Sequence, residues 1–397
     1  MKLEDEYASV GELLTALIRT PSVNPEDDPG TAGSNTGEEK IARLVGRILQ
    51  SIGAQVHLDE VEPGRPNVVG VFPGGAGKPA VLLGPHLDTV GVGAMGIDPF
   101  AGEQRQGKIY GRGACDTKGT MAAMLWALKE LGPERISDLD IGVTFAGFMG
   151  EETGQPGSRH FARKHAGEYD FALVGEPTRC NIVHKHKGTL WLEISTAGKT
   201  AHGSTPECGE NAIVKMAGLV NLLEKKFSHE LSSGPYLDET LGHPTINIGR
   251  IHGGSRTNIV PGDCSICVDL RVTPALDPEK ALKLVRAFLE KHGAGDSMVQ
   301  AGLSCNPLET PQENAFVQRL LALPCSPELA GAPWFCDAAV LAGEGDIPSV
   351  AAGPGDIAQA HTADEWIEEA ELERGVAFYR QFLEGQVRPG QSNPGQC

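Results

Sequence analysis

The chain has 397 residues, 40% hydrophobic and 22% charged, with a formal net charge of −18. These values describe two globular domains rather than one hydrophobic core or a disordered chain, and so acidic a protein argues against nucleic acid as a partner, because phosphate binding needs basic surface. No apolar run nears the roughly 20 residues of a membrane span. The acidic start, Met-Lys-Leu-Glu-Asp-Glu, lacks the basic and then apolar order of a signal peptide, so no membrane contact and a cytoplasmic location are expected.

The first half alternates helical and extended patterns. A helix is expected over 10–18, ending before Pro21, and another where Ile41, Leu44, Val45, Ile48, Leu49 and Ile52 repeat at helical spacing ahead of Gly53. Strands are expected at 67–72, 80–83, 140–148 and 171–174, with a helix over 120–131 between the second and third. From about 188 to 300 the order becomes strand 190–195, helix 211–227, strands 245–251 and 265–272, helix 278–292 and a short strand near Val299, which fits a ferredoxin-like insertion. An apolar strand over 348–352 and a closing helix over 364–382 follow, and the Gly-, Pro-, Gln- and Ser-rich tail 385–397 is expected to be disordered. The expected fold class is α/β. A mostly parallel sheet with helices on both faces would form a catalytic domain from 1–184 and 304–397, with an inserted α+β domain over 185–303.

The nine cysteines are scattered, and an odd number does not complete a disulfide framework. The single CxxC, Cys264 and Cys267, falls in an expected strand and has no second pair with which to build a structural zinc site.

Five clusters of acidic or imidazole residues stand where expected strands end, the places where open α/β sheets put ligand sites. They are Gly84-Pro85-His86-Leu87-Asp88, Gly111-Arg112-Gly113-Ala114-Cys115-Asp116, Gly150-Glu151-Glu152-Thr153-Gly154, Gly175-Glu176-Pro177-Thr178 and Ala360-His361-Thr362-Ala363-Asp364-Glu365. Each alone is ordinary: a histidine after a strand is commonly structural, and a Glu-Glu pair is commonly solvated surface. If the strand ends converge, however, Asp88, Asp116, Glu151, Glu152 and Glu176 crowd negative charge that a partly buried pocket tolerates only with a cation. Imidazoles and carboxylates together suit zinc, with cobalt or manganese as substitutes.

Taken in order, these motifs resemble the dizinc amidohydrolase and peptidase family that contains acetylornithine deacetylase, succinyl-diaminopimelate desuccinylase, aminoacylase and carboxypeptidase G. The likeness covers nearly the whole chain, with the insertion between the fourth and fifth motifs. It implies two zinc ions per subunit: His86 and Glu176 would hold one, Glu152 and His361 the other, and Asp116 would bridge them. Asp88 would orient His86 through its far ring nitrogen, and Glu151 would be the general base.

In the insertion, Ala201-His202-Gly203-Ser204, Thr257-Asn258-Ile259-Val260-Pro261 and Asp269-Leu270-Arg271 are also family-like. The resemblance makes the insertion a lid and dimerisation domain. It makes His202 an oxyanion donor to the neighbouring subunit's site in a homodimer, and Asn258 and Arg271 binders of a substrate carboxylate. Gly353, before the His361 motif, would present backbone to substrate, whereas Gly209-Glu210-Asn211-Ala212 reads as a helix entry. Gly91 and Thr117 depart from residues common in relatives without removing a ligand. Gly-Glu-Pro-Thr and His184-Lys185-His186-Lys187-Gly188 look most like the deacetylase and the desuccinylase. The expected substrate is therefore a small N-acyl amino acid, N-acetylornithine first, with a succinylated analogue or short peptide as alternatives.

Rival chemistries lack their residues. Gly198-Lys199-Thr200 has Glu193 where a phosphate-binding loop needs its first glycine, and neither Gly-x-Ser-x-Gly nor His-Glu-x-x-His is present. A glycosidase would leave the two motif histidines unexplained. A silent metal- or amino-acid-binding protein would leave Glu151 unexplained.

Overall fold

The computed structural model describes residues 6–26 and 31–385, so the expected disordered tail lies, apart from Gly385, outside the described residues. The chain forms two compact units. One comprises Met1–His184, Thr310–Ala330 and Cys336–Cys397, the other Lys185–Glu309 and Gly331–Phe335.

The first unit is built on a sheet ordered Gln55–Glu62, Arg65–Val71, Gly142–Gly147, Ala80–Pro85, Phe171–Gly175, Ser349–Ala351 and Ile182–His186. The middle four strands are parallel, and the strands flanking them pair antiparallel. The middle strands are buried along almost their whole length, which is why they read as continuous apolar runs: helices cover both faces. Helix Glu39–Ser51 lays Ile41, Leu44, Val45, Ile48 and Leu49 into this core. Helix Val10–Ile18 starts where the Ser9 hydroxyl accepts from the Glu12 N–H at 3.2 Å. Helix Lys118–Asp138 is apolar on every side from Met121 to Leu128, and it breaks at Gly132, whose φ of 71° precedes Pro133.

One expectation needs correcting. The closing helix spans Glu369–Glu384, not 364–382, and Trp366–Glu368 is a strand antiparallel to Lys108–Tyr110. The pairing commits those backbone groups to a sheet before the helix can begin, and local periodicity carries no trace of so distant a partner.

In the second unit the order strand, helix, strand, strand, helix, strand closes into an antiparallel sheet arranged Thr245–Gly253, Asp263–Val272, Gly188–Ala197, Met298–Cys305. Gly188–Ala197 and Asp263–Val272, the first and third strands in chain order, are central, the ferredoxin-like arrangement. Along Asp263–Val272, alternation turns Cys264, Ile266, Val268, Leu270 and Val272 onto a core with Leu219, Phe227, Val285 and Phe288. The same alternation sends Cys267 to the opposite face from Cys264, so the CxxC pair does not converge. Asn211 caps helix Ala212–Leu222 by accepting from the Ile213 and Val214 N–H groups, the expected helix entry.

Close packing fixes the turn after Gly142–Gly147. The Asn67 side chain donates to the Gly157 carbonyl at 2.9 Å and accepts from the Met149 N–H at 3.0 Å. A Cβ on Gly157 would stand 2.4 Å from the Met149 oxygen and 2.6 Å from Asn67 Oδ1. Gly157→Ala is therefore expected to cost about 1–3 kcal/mol of stability. Urea denaturation of the two proteins measures it, and equal midpoints would show that the turn yields freely.

Candidate metal centre

Strand polarity sets the site. His86 follows Ala80–Pro85, Glu151 and Glu152 follow Gly142–Gly147, and Glu176 follows Phe171–Gly175; these three strands are parallel neighbours, so their ends align. Asp116 arrives just ahead of helix Lys118–Asp138, across a cis peptide bond to Thr117. His361 lies on the loop after Ser349–Ala351, with a left-handed φ of 61° that costs a non-glycine residue on the order of 1–3 kcal/mol.

Ligand atoms of His86, Asp116 and Glu152 lie within 4.8 Å of one another. His86 Nε2 is 3.0 Å from Asp116 Oδ1, and His361 Nε2 is 3.3 Å from both Asp116 Oδ2 and Glu152 Oε2. Asp116 thus faces an imidazole with each oxygen. Asp88 is buried behind them, its carboxylate accepting from the N–H groups of Glu151 at 3.0 Å and Glu152 at 3.2 Å and from Asn24 Nδ2 at 2.8 Å. His86 Nδ1 stands 3.0 Å from the Asp88 carbonyl oxygen and 3.5 Å from its carboxylate. Glu176 is buried, and the Asp116 charge acts on it.

The electrostatics fit a bound cation. Burial pushes the Glu151 and Glu176 carboxyls well above the usual carboxylate range and Glu152 up to about 7, with neighbouring carboxylates adding to each. Hydrogen bonds to Asp116 and Glu152 raise His361 to about 10. Burial opposes charge on His86, but hydrogen bonds to Asp116 and Asp88 outweigh it and raise this group well above its ordinary value. Burial would likewise raise Asp116, yet its hydrogen bonds to His361 and His86 hold it below the carboxylate range. These shifts share one cause, carboxylates crowded out of water around two imidazoles, and that is the setting in which a cation binds. Glu152 Oε1 is buried and has no hydrogen-bond partner among the described residues, an acceptor suited to a cation.

Of the remaining expected residues, His202, Asn258 and Arg271 belong to the second unit and Gly353 to the first. In the second unit, an isolated bridge joins His202 to Ile259, and the Gly203 N–H donates to the Asn258 carbonyl at 2.8 Å, so the His202 and Asn258 segments are neighbours. Arg271 lies on strand Asp263–Val272, its Nε 3.0 Å from Asp269 Oδ2. Gly353, in the first unit, is buried: its N–H donates to Thr178 Oγ1 at 3.1 Å, its carbonyl accepts from the Cys180 N–H at 2.7 Å, and a Cβ there would stand 2.5 Å from Tyr379 Oη.

Sequence reading passed over several buried polar groups around the centre. Asn24 supports Asp88 and also donates to Thr153 Oγ1 at 2.8 Å. Asp337 accepts from the Ser158 hydroxyl, and burial pushes it up to about 6. Glu365, although inside a quoted motif, carried no assigned role, and it is fully buried against the Asp116 loop. An acidic residue entering the apolar stretch 338–341 was the one available hint of Asp337.

Residues 82–385 match peptidase family M20/M25/M40. Acetylornithine deacetylase of Proteus mirabilis (strain HI4320) is 30% identical over 391 residues, covering 94% of this chain and 95% of that protein. The M20 family metallo-carboxypeptidase Sso-CP2 from Sulfolobus solfataricus is similar in structure, with a TM-score of 0.75 at 20% identity over 94% of this chain and 97% of that one. The YXEP protein of Bacillus subtilis, a dinuclear metal binding peptidase from the M20 family, has a TM-score of 0.65 at 15% identity over 94% of this chain and 96% of its own. With its motifs in one centre and a family match that spans most of its length, the chain belongs to peptidase family M20/M25/M40.

Proposed function

We propose that this protein hydrolyses the amide bond of a small N-acyl amino acid, N-acetylornithine first, with two divalent ions, zinc by preference, as cofactors. The coarser activity, metal-dependent amide hydrolysis, follows from family membership. The observation that carries the finer reading is the meeting of His86, Asp116, Glu152 and His361, with Glu151 held beside them through its N–H bond to Asp88. The deacetylase relative supports the substrate.

In this reading His86 and Glu176 would hold one ion, Glu152 and His361 the other, with Asp116 shared by both. Bound there, the ions supply positive charge that acidifies water and polarises the amide carbonyl. Glu151 takes a proton from the attacking water as its oxygen bonds to the carbonyl carbon. It returns that proton to the nitrogen as the C–N bond breaks, and the second proton of the water passes from the new carboxyl group to the amine, leaving a carboxylate and an ammonium. Asp88 keeps Glu151 and Glu152 in register through adjacent backbone bonds and braces His86. His202, acting from a partner protomer, donates to the carbonyl oxygen as charge develops, and Asn258 and Arg271 take the substrate carboxylate. Assay of N-acetyl, N-succinyl and dipeptide substrates with added zinc or cobalt tests the substrate, and turnover confined to dipeptides would overturn it.

Glu151→Gln is expected to retain its metal and lose turnover by a factor on the order of 100 or more, because it removes a proton acceptor and no ligand. Metal analysis beside kinetics checks it, and near-normal kcat would remove Glu151 from its role. Asp116→Ala is expected instead to empty the centre, since it deletes the group shared by both ions. Full occupancy in that variant would contradict a bridge.

The trans placement of His202 has its own test. When a Glu151→Ala chain and a His202→Ala chain are coexpressed, about half of randomly assorted dimers are mixed, and each mixed dimer contains one whole site if His202 serves its partner. Activity is then expected at about a quarter of wild type, well above either parent. Activity at the parental floor would assign His202 to its own chain, and a fully active monomer would exclude the trans role.

A further inference from the structure

We propose that Glu365 is a positioning residue: its carboxylate clamps the 112–116 loop by its backbone N–H groups and thereby aims Asp116 between His86 and His361 before any metal arrives. The proposal rests on Asp116 being a metal ligand.

Glu365 is fully buried, and both its oxygens are doubly occupied. Oε2 accepts from Arg112 Nη1 at 2.8 Å and the Gly113 N–H at 3.0 Å, and Oε1 accepts from the N–H groups of Cys115 and Asp116, each at 2.9 Å. The loop cannot supply these acceptors itself, because Gly111 and Gly113, with φ of 149° and 83°, turn it out of any regular ladder. Its own backbone bonds are two, from the Ala114 N–H to the Gly111 carbonyl and from the Lys118 N–H to the Gly113 carbonyl.

The clamp also has a fixed base. The Glu365 carbonyl accepts from the Gly111 N–H at 3.0 Å, and Trp366–Glu368, directly after it, pairs with Lys108–Tyr110. The segment that delivers His361 therefore also grips the loop that delivers Asp116. Only a carboxylate suits the place, because a carboxamide keeps one acceptor oxygen and turns an NH2 group toward two of the four donors.

A plainer role competes: Glu365 could serve as the buried counter-charge of Arg112, which also donates to the Gly91 carbonyl at 3.2 and 3.0 Å. The two roles separate in metal binding. Glu365→Gln, Arg112→Gln and Asp116→Ala would be stripped of metal and titrated with Zn2+ against a chromophoric chelator and with Co2+ by visible absorption. Melting of the metal-free proteins would be followed in parallel. Arg112→Gln leaves the three backbone bonds in place, so it is expected to lower the melting temperature while keeping wild-type Zn2+ affinity. Glu365→Gln is expected to weaken Zn2+ binding about 10–100-fold and alter the Co2+ spectrum.

Wild-type affinity in Glu365→Gln, or equal losses in both variants, overturns the clamp. If Glu365→Gln does not fold, Glu365→Asp, which keeps the charge and shortens the reach, serves in its place with the same two outcomes. Hydrogen exchange at the amides of Gly113, Cys115 and Asp116 in the metal-free protein adds a readout independent of metal: protection in wild type and its loss in the Glu365 variants are expected, and equal exchange overturns the proposal. Asp116→Ala is the reference. Full metal occupancy there would sink the ligand assignment beneath the clamp, whereas loss of metal there together with unaltered binding in Glu365→Gln would sink the clamp alone.

Discussion

Like charge held out of water is the constraint on which the first unit is organised. Asp88, Asp116, Glu151 and Glu176 are buried and, with Glu152, feel one another's charge, and such a group survives only if its field is cancelled locally. The surroundings supply that cancellation in layers. His86 and His361 flank Asp116, backbone N–H groups and Asn24 converge on Asp88, and Arg65 forms a two-pronged bond to buried Glu38 close by, its Nη2 and Nε each reaching one oxygen. The parallel sheet beneath contributes rigidity more than chemistry: neighbouring strands end together, so residues from distant parts of the chain meet with little freedom to separate.

Some of the backbone strain falls at the same place. His361 and Gln155 hold left-handed backbone conformations without being glycine, and Gln155 Nε2 lies 3.4 Å from Glu151 Oε1. Gln155 leads into the Gly157 turn that Asn67 holds, and His361 leads into the segment that carries Glu365. Lys118 shows the cost of such packing. Its ammonium is buried against the Leu17 and Thr20 carbonyls at 3.1 and 2.9 Å, and burial brings it down to about 7.

Much of this frame was legible in the residues. Val81 to Leu83 and Phe171 to Val174 betray fully covered strands because burial on both faces leaves no polar alternation, and the spacing from Ile41 to Ile52 marks a helix because one face alone is apolar. His86, Asp116, Glu152 and His361 could be grouped because each falls in a motif whose order along the chain is shared with a family. Asn24, Asp337 and Glu365 escaped because their work depends on which N–H or hydroxyl is stranded nearby, a property of tertiary packing. The strand Trp366–Glu368 escaped for the same reason, its partner lying at Lys108–Tyr110.

The connectivity of the first unit bears on how the protein is made. Ser349–Ala351 slots between Phe171–Gly175 and Ile182–His186, and His361 and Glu365 follow it. A ribosome therefore releases the earlier ligands on an incomplete sheet, with a gap that stays open until the whole intervening unit has been translated. The residues that complete the centre are thus among the last to be made, and the sheet that positions the earlier ones gains its last strand in chain order only when 349–351 take their place.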